Sequence, residues 1–212
     1  MRQEKGTEKT IFLVRHAEPV GSDQQRRYLG QQNPDLSPFG IHQAEKLSQA
    51  FRNCPIQAVF TSDLLRAIHT ALLIAKDHHY QPEKIRGLRE INLGEWEGRT
   101  FQEVQTQYPE EYAQRGRDIA NFRTPGGESF ADLQKRVLPA FTKVVEKTKG
   151  DLVIVAHAGV NRVILCHLMQ RPLQELFSIP QDSAAVNIIR ENNGSYHVVA
   201  VNIDADSLIS HV

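Results

Sequence analysis

The stretch Thr10-Ile11-Phe12-Leu13-Val14-Arg15-His16-Ala17-Glu18 decides how the rest of the chain is read. A short run of β-branched and aromatic residues that breaks at an Arg-His pair predicts a buried strand, residues 10–14, with two functional side chains at its carboxyl end. In an open α/β sheet that end is where ligands bind. A guanidinium grips phosphate through paired N–H groups, and a neutral imidazole serves as nucleophile or base. The pair alone is a weak signal, so the reading depends on whether other parts of the chain answer it.

One segment does. Asp151-Leu152-Val153-Ile154-Val155-Ala156-His157-Ala158-Gly159 repeats the design, an apolar run buried on both faces that leads into a His and a small-residue turn before a helix at 160–170. Between the two, Ser37-Pro38 caps a helix through Ile41, Ala44, Leu47 and Phe51. Gln57–Thr61 forms a second strand, and Ser62-Asp63 is expected to cap the next helix, which ends near His78-His79. A third short extended piece is expected at about Ile85, ahead of a Gly-punctuated turn. Phe130 to Val145 is a long amphipathic helix that Gly150 should end. Residues 185–190 and 196–201 flank Asn192-Asn193-Gly194 as a hairpin with a primed turn. These elements predict a three-layer α/β/α fold, a mostly parallel doubly wound sheet with an antiparallel edge strand, in one domain spanning residues 1–212. An insertion at about 95–128, helical but broken at Pro109, should cover the active site.

Composition sets the outer limits. The 212 residues are 40% hydrophobic and 24% charged, and 25 basic side chains balance 25 acidic ones. No global field favours nucleic acid or an anionic membrane, so any phosphate affinity is local. No apolar run approaches a membrane span and residues 1–9 read as a polar frayed tail, which predicts a cytoplasmic protein. Cys54 and Cys166 belong to no paired motif and read as packed thiols.

Arg15, His16, Arg66 and His157 each fall at a strand's carboxyl end or a following helix start, so the fold would bring them to one crevice as a trap for a doubly charged anion. Neighbouring guanidinium groups disfavour imidazolium and keep His16 nucleophilic. Paired histidines also suggest a metal. The spacing of metal-ligating motifs is missing, however, and the arginines repel a cation, so neither metal nor cofactor is expected.

These residues carry a resemblance to the histidine phosphatase (phosphoglycerate mutase-like) superfamily. Its Arg-His-Gly signature is similar to Arg15-His16-Ala17, and further motifs match Leu36–Ala44, Thr61–Ala71, Glu90, Gly94-x-Trp96-Glu97-Gly98, Pro125–Ser129 and the strand to His157. The resemblance implies a metal-independent transfer in which His16 becomes phosphohistidine, Glu90 is the proton donor, and Arg15, Arg66 and His157 hold the phosphoryl oxygens. Glu18, Glu95 and Glu97 are rivals for the carboxyl role. Ala17 stands where the family usually has Gly. Where the family often supplies an Asn, Ser22 offers a hydroxyl for phosphate. The compact cover resembles that of the phosphatase branch, including enzymes that act on α-ribazole 5′-phosphate. The expected partner is therefore a small phosphorylated metabolite. A mutase and a non-catalytic phospho-ligand binder are the alternatives. Arg26, Arg27, Tyr28 and Trp96 are candidate substrate contacts, with Tyr108, Tyr112, Arg117, Phe122 and Arg123 behind them. Small dimerising phosphatases are common in the superfamily, so a homodimer is one expectation.

Overall fold

The computed structural model describes residues 8–22 and 27–210. In chain order the elements are β1 (Lys9–Arg15), α1 (Pro38–Phe51), β2 (Ala58–Thr61), α2 (Leu65–Ala75), β3 (Glu83–Lys84), α3 (Phe101–Gln107), α4 (Pro109–Arg117), α5 (Phe130–Lys147), β4 (Leu152–Ala156), α6 (Ala158–Leu168), β5 (Val186–Asn192), β6 (Ser195–Ile203) and α7 (Ala205–Leu208). The sheet order is β3-β2-β4-β1-β5-β6. The first four strands in that order run parallel, and β5 and β6 pair antiparallel along one side.

The apolar runs explain the layers. On β1, Ile11 and Leu13 enter a core with Val137 and Phe141 of α5 and Val160 and Ile164 of α6. Phe12 and Val14 face the opposite core, with Leu47 and Phe51 of α1 and Ala67 and Ile74 of α2. Strand β4 divides the same way, Leu152 and Ile154 against Val153 and Val155. With both faces covered, alternating polarity is not required, which is why these central strands read as unbroken hydrophobic runs. The β1–β4 pairing sets Arg15 against Ala156, so Arg15-His16 and His157 emerge at the same edge. Ser37 caps α1 through its side chain, which accepts from the Gly40 N–H. Asn193 and Gly194 both have positive φ, as the primed hairpin turn requires.

Four local expectations differ from the structure. Helix α2 starts at Leu65 with Leu64 in the cap position and no side-chain cap, because Asp63 is turned instead to the Arg89 guanidinium at 2.6 and 2.8 Å. The third strand is only Glu83–Lys84, and Arg86–Leu88 is a 3₁₀ turn. Helix α5 stops at Lys147, before Gly150, where the buried Lys9 ammonium donates to the carbonyls of Val145 and Thr148 at 2.6 and 2.7 Å. Lys9 is accordingly part of β1 rather than of a frayed tail, while residues 1–7 lie outside the described residues. Both cysteines are buried and free, and burial pushes the Cys54 thiol up to about 11. Among the described residues no helix is long and apolar enough to cross a membrane.

Candidate active site

Arg15 closes β1 and His16 follows it, with the His16 N–H bonded to the Ala156 carbonyl across the sheet. The His16 ring is buried and bonded at both nitrogens. Nδ1 lies 2.7 Å from the Ala17 carbonyl, an acceptor, so Nδ1 carries the proton. Nε2 is therefore the lone-pair nitrogen, and it accepts from Arg66 Nε at 3.2 Å. One tautomer satisfies both contacts, with the proton on Nδ1 and the lone pair on Nε2. Burial, then the charges of Arg66 and Arg15, holds the imidazole well below its ordinary range, so the ring is neutral. Ala17 gives its N–H to Thr70 Oγ1 at 3.0 Å and is buried in the core on the α1 and α2 side.

Arg66, in the first turn of α2, is fully buried. Besides its bond to His16, it donates through Nη1 to the Gln32 carbonyl at 2.6 Å and through Nη2 to the Gly30 carbonyl at 2.8 Å. It thus ties the loop after β1 to the imidazole. Burial lowers its pKa to about 10, with Glu90 opposing, which leaves it cationic at neutral pH. Arg15 donates through Nη1 to the Gln181 carbonyl at 2.6 Å, while its Nε is buried without a partner. His157 ends β4 and precedes α6. Its ring stands 5.1 Å from that of His16, and both its nitrogens are buried and unpartnered. Burial first, then Arg66, His16 and Arg15, drives its pKa well below the usual value as well. Two neutral rings and two guanidinium groups therefore converge, with Arg15 Nε and both His157 nitrogens left unpartnered.

Glu90 brings the carboxylate. Its Oε2 accepts from the Gly159 N–H at 3.0 Å, at the second position of α6, and its Oε1 accepts from Ile91 N at 2.9 Å. The residue is braced from behind, since Arg136 Nη2 donates to the Glu90 carbonyl at 2.8 Å while its Nε and Nη2 grip both oxygens of Glu128 at 2.8 Å. The Gly94–Gly98 and Pro125–Ser129 motifs pack together as one clasp beneath this brace. Gly94 has φ +54°, and a Cβ there would lie 2.1 Å from the Pro125 carbonyl oxygen. The rival carboxylates are occupied elsewhere. Glu18 accepts from Ser37 Oγ at 2.8 Å, Glu95 from the Tyr108 hydroxyl at 3.2 Å, and Glu97 from the amides of Gln31 and Leu93 at 2.8 and 3.1 Å.

Arg15 and His16 open into a cavity of about 1010 Å³. Ser22 and Arg27 line it, and Arg27 also donates to the Gly98 carbonyl at 3.0 Å. Arg26 lies outside the described residues. Tyr28 and Trp96 are corrected by the structure. Both are buried, with Trp96 packed against Tyr28, Tyr108 and Phe122 at ring distances of 5.3, 6.2 and 5.7 Å, and Tyr28 stacked on Phe101 at 4.3 Å. Their aromatic area was spent on holding the 95–128 cover together, and Phe101 of that cover is what reaches the cavity. Arg117 is exposed, Arg123 pairs with Asp132 at 2.8 Å, and Tyr112 packs against the core. The sequence reading missed Arg162, Phe177 and Gln181, which also line the cavity. Arg162 donates through Nε to the Ile179 carbonyl at 2.9 Å and lies 5.2 Å over the Phe177 ring, with Arg115 at 5.6 Å from the same ring. Among the described residues no three His, Cys, Asp or Glu side chains gather where they could hold a metal ion.

With this geometry in view, the comparison with known proteins is direct. The chain belongs to the histidine phosphatase superfamily, branch 1, which it matches over residues 11–204, and it is a phosphatase by class. Among its relatives, phosphoserine phosphatase 1 of Hydrogenobacter thermophilus is 32% identical over 199 residues, covering 91% of this chain and 92% of that protein. The α-ribazole phosphatase of Shigella flexneri superposes with a TM-score of 0.84 at 25% identity, over 92% and 96% of the two chains. YhfR of Bacillus stearothermophilus gives 0.84 at 30% identity, over 93% and 98%. The fold is accordingly the phosphoglycerate mutase-like one, with a mostly parallel sheet and an antiparallel side.

Proposed function

We propose that the chain is a metal-independent phosphomonoester hydrolase that works through a phosphohistidine at His16 and acts on a small phosphorylated metabolite. The observation that carries this reading is the His16 tautomer, with Nδ1–H held by the Ala17 carbonyl and the Nε2 lone pair facing Arg66 among dehydrated cations. Nε2 attacks phosphorus as the P–O bond to the leaving group breaks, and Glu90, which enters this step as the protonated acid, gives the departing oxygen its proton. Glu90 then takes a proton from water, whose oxygen attacks phosphorus as the P–N bond breaks, and phosphate leaves. Arg15, Arg66 and His157 hold the oxygens on which charge concentrates in each transition state.

The leaving group occupies the cavity side of the site. Its wall presents Phe101 and Phe177, 38% and 51% exposed, beside Arg162 and Arg27. That room and those ring faces suit a leaving group larger than a simple alcohol, and α-ribazole 5′-phosphate, a benzimidazole nucleotide, is the first substrate to assay. The relative named phosphoserine phosphatase makes O-phosphoserine the natural competitor.

The test is rapid-quench trapping of labelled enzyme in the presence of chelator. The expected result is an acid-labile, alkali-stable phosphoryl label that His16→Asn abolishes together with turnover. Turnover that survives His16→Asn, or that chelator removes, overturns the proposal.

A further inference from the structure

Three side-chain amides are buried together at the back of the site, between the cavity and the sheet. Asn161 and Asn187 are fully buried and Gln181 is 4% exposed. Gln181 Oε1 accepts from Asn161 Nδ2 at 3.0 Å and from Asn187 Nδ2 at 3.1 Å. Gln181 Nε2 donates to Asn187 Oδ1 and to the Pro180 carbonyl, both at 2.7 Å. Asn187 completes its own set with the Leu13 carbonyl at 2.8 Å and the Asn202 N–H at 3.0 Å. Both lone pairs and both protons of the Gln181 amide are thus used, and the side chain has one orientation that satisfies them all.

This cluster joins three elements that carry the site. Asn161 lies on α6 one turn after His157, whose carbonyl accepts the Asn161 N–H at 2.9 Å. Asn187 is on β5, directly opposite Leu13 of β1. Gln181 belongs to the segment between them, which also bonds the backbone of both Arg15 and His16, Arg15 N to Ala185 O at 2.9 Å and Ala184 N to His16 O at 3.2 Å. The backbone carbonyl of Gln181 is the group that accepts from Arg15 Nη1. A leucine-type core would fill the same space without any of these directional bonds. The polar solution fixes an angle, whereas an apolar one would fix only a volume.

We propose that Gln181 is a positioning residue for the phosphate site: the amide cluster locks its backbone so that its carbonyl holds one end of Arg15 and leaves Arg15 Nε aimed at the phosphoryl group, in register with His157. The proposal rests on the reading above that Arg15 binds phosphate. The Gln181 side-chain amide is fully paired within the cluster. Its effect passes entirely through the Arg15 guanidinium, and this gives the proposal a signature that a merely structural role lacks.

The experiment is a double-mutant cycle on Gln181→Met and Arg15→Ala, read as the inhibition constant of inorganic phosphate and as KM and kcat for p-nitrophenyl phosphate. Gln181→Met is expected to weaken phosphate inhibition and to raise KM by about tenfold, with a smaller change in kcat, and to have no further effect in the Arg15→Ala background. The same fold loss in both backgrounds overturns the proposal, because Gln181 then acts independently of Arg15. Should Gln181→Met not fold, Asn161→Ala, which removes a single donor to Gln181 Oε1, is put through the same cycle. A loss of about threefold that vanishes in the Arg15→Ala background supports the proposal, and a loss that persists there refutes it. If Arg15→Ala leaves phosphate inhibition unchanged, the underlying assignment of Arg15 fails, and that outcome is visible in the single variant alone.

Discussion

Gly159→Ala tests the Glu90 assignment without altering Glu90. A Cβ at residue 159 would lie 2.4 Å from Glu90 Oε1 and 3.2 Å from its carboxyl carbon, with Phe130 Cε1 at 3.3 Å. Ordinary contact starts near 3.4 Å, so the carboxylate must retreat by about 1 Å, and its bond from the Gly159 N–H at 3.0 Å is lost in the process. A misplacement of about 1 Å costs on the order of 10²-fold in rate, within the 10²–10⁴ that a positioned acid contributes. The atom met is the end of a side chain and not backbone, so the fold can yield there. Alanine also gains about 1 kcal/mol of helix propensity over glycine within α6.

The assay is kcat/KM on two substrates with thermal unfolding in parallel. An alkyl phosphate needs its leaving oxygen protonated, whereas p-nitrophenolate leaves without help. Gly159→Ala should lower kcat/KM for the alkyl ester by ~10²-fold and that for p-nitrophenyl phosphate by less than about fivefold, with Tm within about 2 °C of the parent. Equal losses on both substrates would mean that the alanine disturbs phosphate binding or the attack itself, and the assignment of Glu90 as the proton donor to the leaving group would fall.

Further outcomes follow from the same geometry. His16 and His157 are neutral when folded but titrate near 6.5 when unfolded, so below pH 6.5 the unfolded chain binds the extra protons. Stability should therefore fall as pH drops below that value, by at most about 2.7 kcal/mol per pH unit for the two rings, while kcat/KM keeps no acid limb at 6.5; denaturant titrations at pH 5.5 and 7.5 check the sign. Arg66→Lys cannot reach His16, Gly30 and Gln32 at once and should cost at least ~10²-fold in kcat/KM, measured with p-nitrophenyl phosphate. Arg136→Ala removes charge-assisted bonds to Glu128 and frees the Glu90 carbonyl, and should destabilise the fold by about 2 kcal/mol in urea unfolding. Phe177→Ala removes a half-exposed ring from the cavity wall and should raise KM several-fold for a nucleotide-sized substrate while leaving KM for O-phosphoserine within twofold, as steady-state kinetics would show.

The sequence makes legible what its own chemistry enforces locally. The runs of β1 and β4 are hydrophobic throughout because both faces are covered, Ser37-Pro38 is a cap and first turn, and Asn193-Gly194 suits positive φ. Strand β3 escapes because Glu83 and Lys84 are extended only through pairing with β2, which no local pattern records. The uncapped start of α2 escapes for a related reason, since Asp63 is claimed by Arg89, 26 residues away. At the site, Arg15, His16, Arg66, Glu90 and His157 stand in motifs, whereas Arg162 is one more residue inside a helix and Gln181 one more in a loop. Trp96 and Tyr28 carry the opposite lesson. An aromatic beside a functional motif suggests a ligand contact, but the same ring area serves as well to seal a cover, and burial decides between the two.

The guanidinium groups that would hold phosphate also keep His16 neutral, and in the proposed mechanism this double use would order the reaction. Before substrate arrives, Arg66 and Arg15 oppose protonation of His16, and the Arg66 N–H occupies the Nε2 lone pair. An entering dianion offers Arg66 a stronger acceptor than imidazole, so binding itself should release Nε2 for attack. In the proposed mechanism, positive charge would grow on the ring as the P–N bond forms and would be met at Nδ1. There the Ala17 carbonyl already accepts the proton, and it is fixed because the Ala17 N–H is bonded to Thr70 and its methyl is packed in the core. An alanine in place of the usual glycine therefore keeps both backbone contacts, its carbonyl to His16 Nδ1 and its N–H to Thr70. The side chain points away from the phosphoryl site, and the backbone carbonyl does the residue's work.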